Sequence, residues 1–461
     1  MNTFVFFDDF MISSKRGVRR RVFKPVKAGS FYQEGITSGS SVVYIPEKKQ
    51  YYLYYNFLPD RSKDWDRESH YAVSSDGIEF KPMGRVPSVA QTGAYIIYRD
   101  DFTDNPDERY KSVIMKVNKE DTTKGRGYVA ISHDALHWNT DTDYLISRHA
   151  SDTANNIFYN EVLGKYQIIC RGAHVDRRIV SLFSRDLLNW TDPQVVLSPN
   201  PFDVEYTQYY GMTVYPDKGY FLGFLQLYYT DEDDTVYTKM AGKVDAALTY
   251  SYDGIVWNRV SHEPMVDRPM PPEFGFTTIY FSNMNESPDG NDWILTAGGG
   301  RTDHGWGFKP AYPDSELSDY VKENGNNQLM FYKIRKHGFA GMESYGLKAR
   351  LNLKRMLLTG PNLSFNLCAP TGTVRYRIVD PQDFSVYAGY DFDDCSPFTG
   401  DDTEFKPSWK NRSIAELEGR FISIEFEMHT AILFSVTGDL APSPGMQPVP
   451  GLGIPRPIER I

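Results

Sequence analysis

Apolar and polar residues alternate in short runs along this chain, the spacing of half-buried strands, and Gly-, Pro- and Asp-containing turns separate the runs. The runs come in a repeating order. A first apolar run (SSVVYI, AYIIYRD, NNIFYN, YGMTVYP) is followed by a second (YYLYYNF, RYKSVIMKV, KYQIICRG, YFLGFLQLY) and then a third (HYAVS, GYVAIS, IVSLFS, AALTYS). Each third run leads into one pattern, a Ser two residues before an Asp and an aromatic residue four after it. The four occurrences are Ser74/Asp76/Phe80, Ser132/Asp134/Trp138, Ser184/Asp186/Trp190 and Ser251/Asp253/Trp257. An Asp there can accept backbone N–H groups across a tight turn while the aromatic side chain folds back onto the strands, so these residues read as structural.

The four Asp positions lie 58, 52 and 67 residues apart, and self-similarity near that period is what a four-stranded blade repeat produces. A fifth unit, FTTIYFS, DWILTAGG and NQLMFYKI, keeps the strands and lacks the pattern. The expectation is an all-β chain: a five-bladed β-propeller over residues 1–335, followed by a C-terminal β-sandwich over 336–440 (LKARLNLK, SFNLCAP, VRYRIVD, FISIEFEMH, AILFSV) and a Pro/Gly-rich tail, 441–461. The N-terminal TFVFFDD is expected to supply the strand that closes the ring and removes its open edges.

Composition agrees. Aromatic residues make up 15% of the chain, with 32 Tyr and 28 Phe, and such side chains favour pleated surfaces. The formal charge of −10 opposes nucleic acid and anionic lipid, so a carbohydrate partner, and a neutral one, fits better. Cys170, Cys368 and Cys395 are few and far apart, which argues for buried small hydrophobes over a disulfide framework or a thiolate metal site. The N-terminus shows no signal-peptide pattern and no stretch is long and apolar enough for a membrane span, so a cytoplasmic protein is expected.

Residues just before each first strand converge at one end of a propeller axis. Asp152, Glu205 and Glu273 hold that place before the third, fourth and fifth units, and are the candidate catalytic carboxylates, with Glu34 before the first unit as a substrate contact. Like charges sharing an axis raise the pKa of one member, which sets an acid beside a base as glycoside hydrolysis requires. Each alone reads equally as a solvated loop acid. Further substrate-binding candidates are Arg171, His174 and Arg177 in CRGAHVDRR, Tyr206 beside Glu205, and His304 and Trp306 in the Gly-rich loop GGGRTDHGWG. Arginine and histidine can bind hydroxyls, and tryptophan can stack on a sugar face; a surface turn with charge balance is the alternative for the basic run. No metal-ligand spacing and no phosphate-loop spacing occurs, so neither metal nor cofactor is expected.

The Ser-x-Asp-Gly-x-x-Trp signature and the strand order resemble the arabinanase, levansucrase and invertase superfamily, glycoside hydrolase families 32 and 43 and their relatives. FFDDFMI, DNPDERYK, SDTANNIFYNEVLGKY, VEYTQYY and AGYDFDDCSPFTGDD resemble, over nearly the full length, a group of bacterial proteins usually labelled glycosidases. The resemblance implies hydrolysis by three acids from successive blades. The invertase motifs Trp-x-Asn-Asp-Pro-Asn, Arg-Asp-Pro and Glu-Cys are not present, so the three acids named above come from topology alone. The alternatives are a non-catalytic carbohydrate-binding propeller, a glycoside phosphorylase on the same scaffold, or a sialidase-like enzyme. The sugar, the linkage and the oligomeric state are left open by the sequence.

Overall fold

The computed structural model describes residues 1–59, 68–87, 96–116, 126–146, 151, 153–172, 177–230, 242–305, 316–346 and 348–442. The chain divides into two compact units, one of residues 24–334 and one of residues 1–23 with 335 onward. Among the described residues both are built from strands, as the alternation predicts, with one α-helix of nine residues, Glu316–Asn324, that the all-β reading did not contain. It stops at Gly325, whose φ of 79° suits glycine and whose N–H bonds the carbonyl of Val321 at 2.9 Å.

The larger unit holds five successive groups of four antiparallel strands. The first is Ile36–Ile45, Gln50–Phe57, Glu68–Ser74 and Lys81–Arg85. The second is Tyr98–Arg99, Tyr110–Lys116, Arg126–Ser132 and Trp138–Asn139, with Leu145–Ile146 beside the third of these strands. The third is Asn156–Asn160, Lys165–Arg171, Ile179–Ser184 and Gln194–Leu197. The fourth is Thr207–Asp217, Tyr220–Thr230, Gly242–Ser251 and Asn258–Arg259, and it touches the fifth through a single pair, Val244 with Thr278. The fifth is Thr278–Glu286, Asp292–Gly300, Asn327–Arg335 and, from far upstream, Val26–Phe31.

Side chains tie each group to the next in a closed cycle. Ile97 N donates to Ser41 Oγ at 3.0 Å, linking groups one and two, and Tyr166 donates to Asp100 Oδ2 at 2.8 Å, linking two and three. Val214 N donates to Asn156 Oδ1 at 2.5 Å, and Thr213 Oγ1 to the Phe281 carbonyl at 3.2 Å, linking three to four and four to five. Val42 N then donates to Asn283 Oδ1 at 3.0 Å, which returns the cycle from group five to group one.

The repeated Asp works as the sequence predicts. In all four turns its Oδ1 accepts backbone N–H groups two and three residues on, as from Leu136 (2.9 Å) and His137 (2.8 Å) to Asp134. The following residue takes a left-handed conformation, Gly77, Ala135, Leu187 and Gly254 at φ 76°, 63°, 64° and 77°. Its carbonyl accepts the indole N–H of Trp138, Trp190 or Trp257 at 2.9–3.0 Å. Trp138 and Trp257 are buried, while Phe80 and Trp190 are half-buried.

Two expectations need correction. The strand that completes the fifth group is Val26–Phe31, whereas Asn2–Val5 pairs with Ser435–Gly438 in the smaller unit. The reason is burial: Phe4 and Phe6 belong inside a core, while Val26–Phe31 is an outermost strand with one residue buried, so its alternation is mostly polar. The fifth unit also has the turn pattern after all, as Ser287-Pro-Asp289-Gly290-Asn-Asp-Trp293. It lies in the hairpin between the first and second strands rather than after the third, with Ser287 Oγ donating to Asp289 Oδ1 at 2.6 Å.

Hydrogen bonds from Asn189 and the turn backbone hold Asp186 well below the ordinary carboxylate value. At Asp76 and Asp134 burial pulls upward, but backbone and side-chain donors together win and the net direction is again down. A group whose folded pKa is depressed stabilises the fold above its unfolded value and loses that contribution as pH falls toward the folded one. Thermal unfolding is therefore expected to shift to lower temperature as pH drops below about 4. Asp134→Ala should flatten that dependence and cost about 1–3 kcal/mol at neutral pH; an unchanged pH profile would contradict the account.

In the smaller unit, Met356–Val379 is one continuous strand. It pairs with Ile432–Pro442 along its first half and with Phe421–His429 along its second, Thr373 opposite His429 to Val379 opposite Ser423. Phe4, Phe365, Tyr376, Phe426 and Leu433 share one buried core there. Among the described residues no helix is long and apolar enough to cross a membrane.

Candidate functional site

The strand registers bring the start of each first strand, the end of each second and the start of each third to one end of a four-stranded group. In the third, fourth and fifth groups this end carries a cluster of aromatic and cationic side chains. Tyr210, Tyr228 and Tyr280 surround the His304 ring at centroid distances of 4.6, 5.2 and 6.4 Å, each meeting it edge-to-face. Arg171 and Arg177 stand over the Tyr210 ring at 5.0 and 5.5 Å, and Arg177 also over Tyr228 at 5.2 Å. Arg177 Nη1 donates to Gln208 Oε1 at 2.6 Å.

Local backbone features place these groups. Tyr210 is the extra residue of a bulge, where Tyr209 pairs with Leu227 and Gly211 with Gln226, so the strand re-aims it out of the alternation. His304 is held by a reciprocal backbone pair with Gly242, 2.8 and 3.0 Å. Gly242 has to be glycine, because a Cβ there would meet the Tyr229 carbonyl oxygen at 1.9 Å. Burial pushes the Tyr280 phenol well above its ordinary value, with Tyr210, Tyr228 and Asp303 acting the same way, so it stays protonated at neutral pH.

Of the residues named from sequence, Arg171, Arg177 and His304 meet in this cluster. Asp152, His174 and Trp306 lie outside the described residues. Glu205 and Tyr206 are exposed on the turn entering the fourth group; Tyr206 has a left-handed backbone (φ 62°), and its carbonyl accepts from Thr230 Oγ1 at 2.9 Å. Glu273 is exposed on the turn after Pro271-Pro272, its N–H bonded to the Met270 carbonyl at 3.0 Å. Glu34 is exposed on the turn before the first group, where Ile36 N bonds the Gln33 carbonyl at 3.0 Å.

Sequence reasoning missed Tyr210, Tyr228 and Tyr280. A signal was available for the first: a glycine inside a strand, here Gly211, marks a bulge or a close approach. It missed Arg301 as well, a buried side chain that stands over Phe274 at 3.6 Å and donates to the carbonyls of Pro272, Asn324 and Gly325 at 2.6–2.9 Å, anchoring the loop that carries Glu273. Among the described residues no three His, Cys, Asp or Glu side chains gather as metal ligands would.

No family model matches the chain, and no curated protein matches it. Among solved structures it is similar to an N-acetylgalactosamine deacetylase from F. plautii, determined in complex with blood group B trisaccharide, at 14% identity over 69% of this chain and 96% of that one, TM-score 0.43. It is similar to a thermostable family-43 glycoside hydrolase at 14% identity over 68% and 92%, TM-score 0.42. It is also similar to an endo-arabinase from Bacteroides thetaiotaomicron at 14% identity over 62% of this chain and 95% of that one, TM-score 0.41.

Proposed function

We propose that this is a carbohydrate-active protein whose larger unit is a closed five-bladed propeller and whose smaller unit is a β-sandwich, and that it hydrolyses glycosidic bonds at the end of the propeller described above. The closed cycle of hydrogen bonds through the five groups supports the ring, and the strand taken from Val26–Phe31 closes it as a propeller needs. The observation that carries the function is the convergence of Tyr210, Tyr228, Tyr280, His304, Arg171 and Arg177 from three neighbouring groups. Aromatic faces take the apolar faces of sugar rings, and cationic and phenolic donors take their oxygens. Asp152, Glu205 and Glu273 precede the first strands of the same three groups and are proposed as its acid, base and stabilising carboxylates.

A non-catalytic sugar-binding propeller is the second reading, favoured by one observation: the described cluster consists of rings and cations, with Glu205 and Glu273 out on exposed turns. Hydrolysis of a panel of aryl glycosides and oligosaccharides, with and without inorganic phosphate, separates the readings. Turnover is expected without phosphate, and Tyr210→Ala should weaken substrate binding by about tenfold, the loss of one stacking contact of about 1.4 kcal/mol. Turnover that required phosphate would make the protein a phosphorylase. Glycan binding with no turnover would make it a lectin-like propeller, and neither binding nor turnover would remove the proposal.

A further inference from the structure

We infer that Arg301 is a positioning residue for Glu273, holding the chain on both sides of it so that its carboxylate meets substrate in one place; this rests on the hydrolytic reading above, in which Glu273 is one of the three acids. Arg301 is buried and follows directly on Gly300, the last residue of the second strand of the fifth group. Its Nε donates to the carbonyl of Pro272 at 2.6 Å, which fixes the peptide plane entering Glu273. The same guanidinium stands over the ring of Phe274, the residue after Glu273, at 3.6 Å. One side chain thus grips the neighbours of Glu273 on either side, while Glu273 itself stays exposed. Backbone bonds close the turn around it, from Glu273 N to the Met270 carbonyl at 3.0 Å and from Gly275 N to the Gly300 carbonyl at 3.1 Å.

The far side of the guanidinium rests on the short helix. Nη1 donates to the carbonyls of Asn324 and Gly325 at 2.9 and 2.8 Å, and the Tyr320 ring lies 5.1 Å from the guanidinium carbon. The helix Glu316–Asn324 thereby acquires a role, as the support for the group that holds the turn. Arginine suits that task, because its in-plane N–H groups reach several carbonyls while its face remains for a ring. The contact also reaches a second acid: the Phe274 ring lies 5.7 Å from that of Tyr32, two residues before Glu34, so the turns carrying Glu273 and Glu34 are joined. A group that only fixes the place of a reacting carboxylate acts on the chemical step, where a misplacement of about 1 Å lowers the rate about a hundredfold.

The test is a double-mutant cycle in the full chain, reading kcat and KM on the aryl glycoside that the parent hydrolyses fastest, with the denaturant midpoint as the folding control. Arg301→Met should lower kcat about 10–100-fold and change KM by less than about threefold. In the Glu273→Gln background the same change should lower kcat by less than about twofold, since the group it positions has already lost its function. Equal losses in the two backgrounds would make Arg301 a general support of the fold and overturn the proposal, as would a raised KM at unchanged kcat. Phe274→Leu removes the ring and leaves the donors of Arg301 in place; it should lower kcat severalfold in the parent and not in Glu273→Gln, and it decides the matter should Arg301→Met not fold. Full activity in Glu273→Gln would overturn the proposal together with that residue's assignment, leaving hydrolysis to the other acids. A parent that hydrolyses none of the glycosides would remove both readings.

Discussion

Asp100→Ala is expected to destabilise the larger unit by about 3–5 kcal/mol, the usual consequence of leaving one member of a buried ion pair alone. Asp100 and Lys111 are both fully buried, and Lys111 Nζ donates to Asp100 Oδ2 at 2.7 Å. Tyr166 donates to the same oxygen at 2.8 Å, and Phe102 N to the other at 2.9 Å. Removing the carboxylate strands an ammonium whose remaining acceptors are the Glu108 carbonyl at 2.7 Å and the Glu108 carboxylate at 3.7 Å. It also takes away the Tyr166 link between the second and third strand groups. Replacing both partners with apolar residues, Asp100→Leu with Lys111→Met, should recover much of the loss, because neither charge then has to be desolvated. Denaturant midpoints of the single and double variants measure this, and a single variant as stable as the parent would refute it.

The largest effect on activity is expected from the carboxylates. Glu205→Gln keeps size and removes the titrating group, so hydrolysis should fall by about 10²–10⁴, the contribution of a general acid or base. Asp152→Asn should do the same. Because Glu205 is on an exposed turn, its replacement should leave the unfolding midpoint where it was. Measuring kcat and glycan affinity separately makes the result informative: a fall in kcat with affinity retained places the acid in the chemistry. Full activity in Glu205→Gln, Asp152→Asn and Glu273→Gln would overturn the assignment of all three.

Much of the fold was legible because it depends on local physics. Alternation placed most strands of the larger unit, and the Ser-x-Asp spacing found four turns whose hydrogen bonds involve residues two and three apart. The fifth occurrence, at Asp289, keeps the same local spacing and escaped because it lies in the first hairpin of its group, where the repeat order does not place it. The helix Glu316–Asn324 escaped because it is a short insertion between two strands of a strongly β-patterned unit.

What the sequence by itself determined is the class of structure: strands of alternating burial, turns capped by Asp, and the conformations that glycine and buried aromatics allow, all set within a few residues of one another. Tertiary structure decided the rest. Val26–Phe31 completes the fifth group only because the fold brings it beside Asn327–Arg335, some 300 residues on, and its own polar pattern carries no record of that partner. Likewise Tyr210, Tyr228, Tyr280 and His304 become one site because a bulge, a glycine at 242 and a backbone pair to His304 bring together residues up to 94 positions apart. Pairwise contacts over such separations are set by how sheets pack against each other, and a linear pattern holds the strands but not their meeting.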